Sequence, residues 1–171
     1  MLASIVSRIE ATSGAFVRVV RWWIIGLLVV TCYDVGARYL FASPTQWAFE
    51  LTIMLGGSLI VLGAPYVTLI NRHVRVDFLY DRWSRRTRQF VDTLGFLVFF
   101  FPMVGFVAWA SVVQAIASWQ MAERSSLSYW EPPIYPFKTA IAIGLILLFL
   151  QGVATFIRHV AGLRKEGRNG S

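Results

Sequence analysis

Cysteine is almost absent from this chain, with Cys32 alone among 171 residues. One thiol excludes a disulfide framework, a disulfide-exchange enzyme and a cysteine-rich metal site, and leaves Cys32 as a small apolar residue. Histidine is nearly as scarce: only His73 and His159 occur. A metal centre needs three or four ligands, yet around His73 stand only Asp77 and Asp81, among six arginines that would repel a divalent ion. Both histidines fall at the same end of apolar segments, so they do not face one another as axial haem ligands would. The chain also lacks a glycine-rich phosphate loop, a serine–histidine–acid set and an HExxH pair. Neither ATP hydrolysis nor metal-assisted hydrolysis has its residues here. The sequence therefore predicts no enzyme and no cofactor.

Charge is the third shortage. Only 15% of residues are charged, against about 25% in an average soluble domain, while 57% are hydrophobic and the mean hydropathy is +0.61. Three runs carry no charge at all: Leu51 to Asn71, Thr93 to Ala122 and Thr139 to Ile157. Each reaches the roughly 18–20 residues that let a helix cross a hydrocarbon layer about 30 Å thick. A fourth, Trp22 to Phe41, carries Asp34 and Arg38. Its 21-residue amino-terminal flank, the presence of Asp34 in the apolar run and the lack of a small-residue cleavage pattern favour an uncleaved span over a signal peptide. The expected fold is all-α integral membrane, with four transmembrane helices, because backbone polar groups find no water in the bilayer.

A single membrane domain, 1–171, follows from this pattern. Residues 1–20 repeat apolar groups at helical spacing (Leu2, Ile5, Ile9, Phe16, Val20) and predict a surface helix. The spans are expected at 21–42, 46–70, 92–118 and 138–158, with a loop at 119–137 and a disordered tail at 159–171. Ser43 and Pro44 suit the start of the second helix, Pro65 a bend near its end, and Gly56 and Gly63 a face that another helix can approach closely. Between the second and third spans, 72–89 reads as an amphipathic surface helix, apolar through Phe78, Leu79, Trp83 and Phe90.

What charge there is has one address. Thirteen of the 16 lysines and arginines lie before the first span, between the second and third, and after the fourth. By the positive-inside rule both termini and the 72–89 segment face the cytoplasm. The net charge of +7 is then accounted for by topology and anionic lipid, without nucleic acid. Tryptophans support the frame, Trp22 and Trp23 marking the inner boundary and Trp47, Trp119 and Trp130 the outer one.

The candidate sites are few. Asp34 and Arg38, four residues apart, read either as a charged contact to another helix or substrate, or as a self-compensating pair. Glu50, in the first turn of the second helix after Trp47, reads as an acid favoured by the helix dipole or as a proton or cation site. His73, Arg75 and Asp77 belong to the arginine-rich segment, and Glu123 and Arg124 to the outer loop.

Three stretches resemble the small membrane subunit of TRAP (tripartite ATP-independent periplasmic) transporters, the DctQ type. "ARYLFASPTQWAFEL", from Ala37 to Leu51, resembles that family's first outer turn, with Arg-Tyr before it and Trp-x-x-Glu after. "LGAPYVTLINRHVRVDFLYDRW" is similar to a helix end followed by His-x-x-x-Asp, and "ERSSLSYWEPPIYPFK" with "LLFLQG" to the outer loop and fourth helix of one branch. Many relatives carry two adjacent acids after the tryptophan, where this chain has Phe49 before Glu50. The resemblance implies a non-catalytic scaffold in the bacterial inner membrane. Its partners would be a large DctM-type elevator subunit, a periplasmic solute-binding protein, met through Arg124 and the 119–137 loop, and membrane lipids. It also implies an importer of organic acids driven by a sodium gradient, with sodium bound at the partner. Two rivals stand beside it: an autonomous proton-coupled transporter using Glu50 and Asp34, and a membrane enzyme or redox anchor.

Overall fold

The computed structural model describes residues 2–43, 45–69, 87, 91 and 93–169. They form four long helices: α1 (Leu2–Leu40), α2 (Gln46–Leu69), α3 (Phe101–Gln120), entered through a π-helical turn at Phe96–Phe100, and α4 (Tyr135–Asn169). Each contains a segment long and apolar enough to cross a membrane: Val20–Leu40, Gln46–Thr68, Thr93–Gln120 and Tyr135–Arg158. No strand occurs among the described residues, only one isolated antiparallel bridge, Arg124 with Pro133. The expected 72–89 surface helix, with His73, Arg75, Asp77 and Trp83, lies outside the described residues apart from Thr87.

Two boundaries differ from expectation. Residues 2–40 are one helix rather than a surface helix followed by a span, because neither proline nor a turn-forming cluster interrupts 15–25. The tail expected to be disordered from 159 continues α4 to Asn169; Leu163, Arg164, Lys165 and Glu166 are strong helix formers and prolong it. At the other end of α2, Gln46 is the first helical residue and Thr45, not Ser43, precedes it.

α4 is the central helix, packing against α1, α2 and α3, while α1 packs mainly on α2. The order across the bundle is α1–α2–α4–α3, and the flanking helices α1 and α3 keep most of their apolar surface uncovered. What is buried is small: Ala48, Ala108, Ala115, Ala142 and Ala154, with polar Ser58, Thr68, Ser118, Gln151 and Thr155 among them. In a membrane, where apolar burial gives no advantage over lipid, helices associate through such close backbone contact. Two of the buried hydroxyls are satisfied within their own helix. Ser58 donates to the Met54 and Leu55 carbonyls and Thr68 to that of Ala64.

The two prolines inside helices are accommodated differently. Pro65 cannot donate to the Val61 carbonyl, yet α2 carries on through it to Leu69. Gly144 of α4 sits against that turn; a Cβ there would lie 3.1 Å from both Val61 C and O. Pro102 is the second residue after the π turn, whose wider ring relieves the clash between its pyrrolidine and the preceding turn. The same turn places Phe100 over Gly152, where any Cβ would collide with the ring. Phe101 then stacks edge-on with Phe149 and Phe156 at 5.6 and 5.5 Å, joining α3 to α4.

Candidate functional site

The ionisable side chains predicted within or beside the spans converge at one end of the bundle, where the α1–α2 turn meets the 121–134 loop. α1 stops there because Ala42 turns left-handed (φ 49°) and the Ser43 N–H closes back on the Ala37 carbonyl at 3.2 Å. One turn back, Asp34 receives Arg38 at 2.9 Å, as their spacing predicts. Its other oxygen accepts the Thr45 hydroxyl at 2.7 Å and the Thr45 N–H at 3.3 Å. Asp34 therefore both offsets Arg38 and fixes the residue from which α2 departs.

Trp47, one turn further, packs against Tyr33 of α1 at 5.1 Å and Trp130 of the loop at 6.4 Å. Glu50 is 1% exposed. Its Oε1 accepts the Ser125 hydroxyl at 3.2 Å, while Oε2 is buried with no partner among the described residues. The loop is thereby tied to α2 across 75 residues of sequence.

α3 enters this loop through a Schellman motif: the Glu123 N–H bonds the Ser118 carbonyl at 3.0 Å and the Ala122 N–H that of Trp119 at 3.3 Å. Ala122 takes the left-handed conformation (φ 47°) at the position usually given to glycine. The motif delivers the Glu123 carboxylate to Lys138 at 2.5 Å. Donation from Lys138, and then from the Ser118 hydroxyl, holds the Glu123 carboxyl below the usual glutamate range. The Ser125 N–H to Pro132 and the Ile134 N–H to Glu123 close the loop into a short two-stranded clasp. Trp119 donates to Thr139 at 2.8 Å, so its N–H has a protein partner at the rim of the bundle.

Asp34, Arg38, Trp47, Glu50, Glu123 and Arg124 thus share one end of the molecule, as three separate clasps rather than one pocket. Gly56 and Gly63 do not join them. Among the described residues no atom beyond the helix's own turn comes within 4 Å of a Cβ built on either, and the close helix approaches occur instead at Gly144, Gly152, Gly105 and Gly57. Trp23 also departs from its expected role at the membrane boundary. It is half-buried, and its indole N–H donates to Ser58 at 2.9 Å, a partner within the bundle. Thr45, Ser125 and Lys138 carry no short-range signal; their partners lie 11, 75 and 15 residues away. Chemically, the arrangement ties helices together. Among the described residues no three of His, Cys, Asp and Glu gather as a metal site.

No curated protein matches the chain. The sequence does match, over residues 27–162, the family described as "Tripartite ATP-independent periplasmic transporters, DctQ component". That match takes in most of the first apolar segment, the other three and both clasped turns, and the chain belongs to the DctQ family of TRAP transporter components.

Proposed function

We propose that this chain is the non-catalytic scaffold subunit of a sodium-gradient-driven, binding-protein-dependent importer of organic acids. It holds the static part of a large DctM-type subunit in the bacterial inner membrane, both termini and the 72–89 segment facing the cytoplasm. One observation carries the scaffold role. The charges within the spans lie toward their ends, and from Leu51 to Leu69, Thr93 to Gln120 and Thr139 to Ile157 there is no Asp, Glu, His, Lys or Arg to bind or relay an ion. Intramembrane ion paths are built from ionisable groups. Gly56 and Gly63, unapproached among the described residues and flanked by exposed Ile53 and Ile60, suit a helix of the large subunit. The exposed Leu127, Tyr129 and Trp130 suit the binding protein on the periplasmic side.

Uptake measured with and without this chain, at matched levels of the large subunit, tests the reading: loss of uptake is expected, and undiminished uptake would refute it. The buried, singly bonded Glu50 is the observation that favours the rival, an autonomous proton-coupled transporter. Reconstituting the chain alone under a pH gradient decides between them, and proton-driven flux abolished by Glu50→Gln would establish the rival.

A further inference from the structure

Beside the clasps lies a groove of about 280 Å³, walled by Trp23 of α1, Leu51 to Ser58 of α2, Phe137 and Ala140 of α4, and Trp130 and Pro133 of the loop. Along α2 it runs for two turns, about 10 Å at 1.5 Å per residue. Its lining is apolar. The one hydroxyl in it, Ser58, already receives Trp23 and donates to its own helix. Leu51 to Ser58 and Ala140 belong to segments long and apolar enough to cross a membrane, which would set this apolar groove beside hydrocarbon. Three prolines (Pro132, Pro133, Pro136) and the Trp23–Ser58 hydrogen bond hold its walls apart.

The upper rim carries a cation. Arg124 stands opposite Pro133 in the antiparallel bridge, between the hydrogen bonds Ser125 N–H to Pro132 and Ile134 N–H to Glu123. In such a pair the two side chains project to the same face at the closer of the two cross-strand spacings. Pro133 lines the groove, and Arg124 is its partner across the bridge. Arg124 is exposed and has no hydrogen-bond or ionic partner among the described residues, whereas Lys138 is held by Glu123. An arginine fork without a carboxylate matches a phosphate.

We propose that this groove is a glycerophospholipid site, with one acyl chain lying between α2 and α4 and the headgroup phosphate on Arg124. The site requires only that the helices lie in a bilayer and does not depend on which solute is transported. The bound lipid touches α1, α2, α4 and the loop at once, so it stabilises the bundle as any ligand of the folded state does.

Mass spectrometry of lipid retained by the complex, purified in mild detergent from native membranes, tests the proposal. About one phospholipid per chain is expected to survive exchange. Ala140→Phe, which fills the groove, and Arg124→Gln, which removes the phosphate partner, should each lower retention on the order of tenfold, about 1.4 kcal/mol of binding. Should Ala140→Phe not fold, Arg124→Gln and the delipidated native complex suffice: adding back phosphatidylglycerol should raise its Tm, and should do so less in Arg124→Gln. Three results would overturn the site. They are no retained lipid in the native complex, equal retention in folded Arg124→Gln, or weakened binding-protein docking in Arg124→Gln with lipid content unchanged.

Discussion

Ala122 and Ala42 occupy backbone positions that glycine fills at no steric cost. An L-residue in the left-handed region costs about 1–2 kcal/mol, part of which glycine returns through its greater freedom when unfolded. Ala122→Gly should therefore raise the stability of the purified subunit, by about 0.5–1 kcal/mol, in an SDS or urea titration. The neighbouring Glu123 makes a pH-dependent contribution of known sign. Its carboxyl is held below its ordinary value of 4.5 by Lys138 and Ser118, so the folded state binds the proton less readily than the unfolded chain. That stability is fully present above 4.5 and is lost as pH falls through the lower, folded-state value. Glu123→Gln should flatten this part of the acid limb of a stability–pH profile while leaving neutral pH little changed. Of these contacts, Asp34 with Arg38 was legible as an i, i+4 pair. Thr45 on Asp34 and Ser125 on Glu50 were not, because each depends on a turn whose left-handed residue is an alanine that no local pattern marks.

Among the elements, glycine positions separate the contacts within the chain from the surface left open. α2 and α4 meet where Gly144 faces the Val61 backbone, and α3 and α4 meet through rings seated over Gly105 and Gly152. Gly144→Ala should lower stability by about 1–3 kcal/mol, since two of the three nearest atoms it meets are Val61 backbone and cannot rotate away. Gly56→Ala and Gly63→Ala should leave the isolated subunit as stable or slightly more so, having nothing to strike and a better helix former in place. If a large-subunit helix crosses this face, the same two changes should reduce co-purification of the complex while the subunit's own Tm holds. The four spans were readable from charge-free length alone, because a bilayer imposes that length. Which glycines are packed was not readable, because Gly56/Gly63 and Gly144/Gly152 offer near-identical spacing. Only the three-dimensional order α1–α2–α4–α3 separates them.

At the scale of the whole molecule, Asp34, Arg38, Glu50, Glu123 and Lys138 stand toward one end of the spans, and the middle of the last three spans carries no charge. Its best-covered helix is α4, while α1 and α3 expose Leu28, Val29, Phe99 and Phe106 to whatever surrounds them. Such a body is suited to standing still beside a moving partner. The most direct test of that role is sodium-driven uptake into proteoliposomes holding the large subunit and binding protein, with this chain present, absent, or carrying Glu50→Gln. The account predicts uptake with the chain and with Glu50→Gln, and none without the chain. Full uptake in its absence would contradict the account.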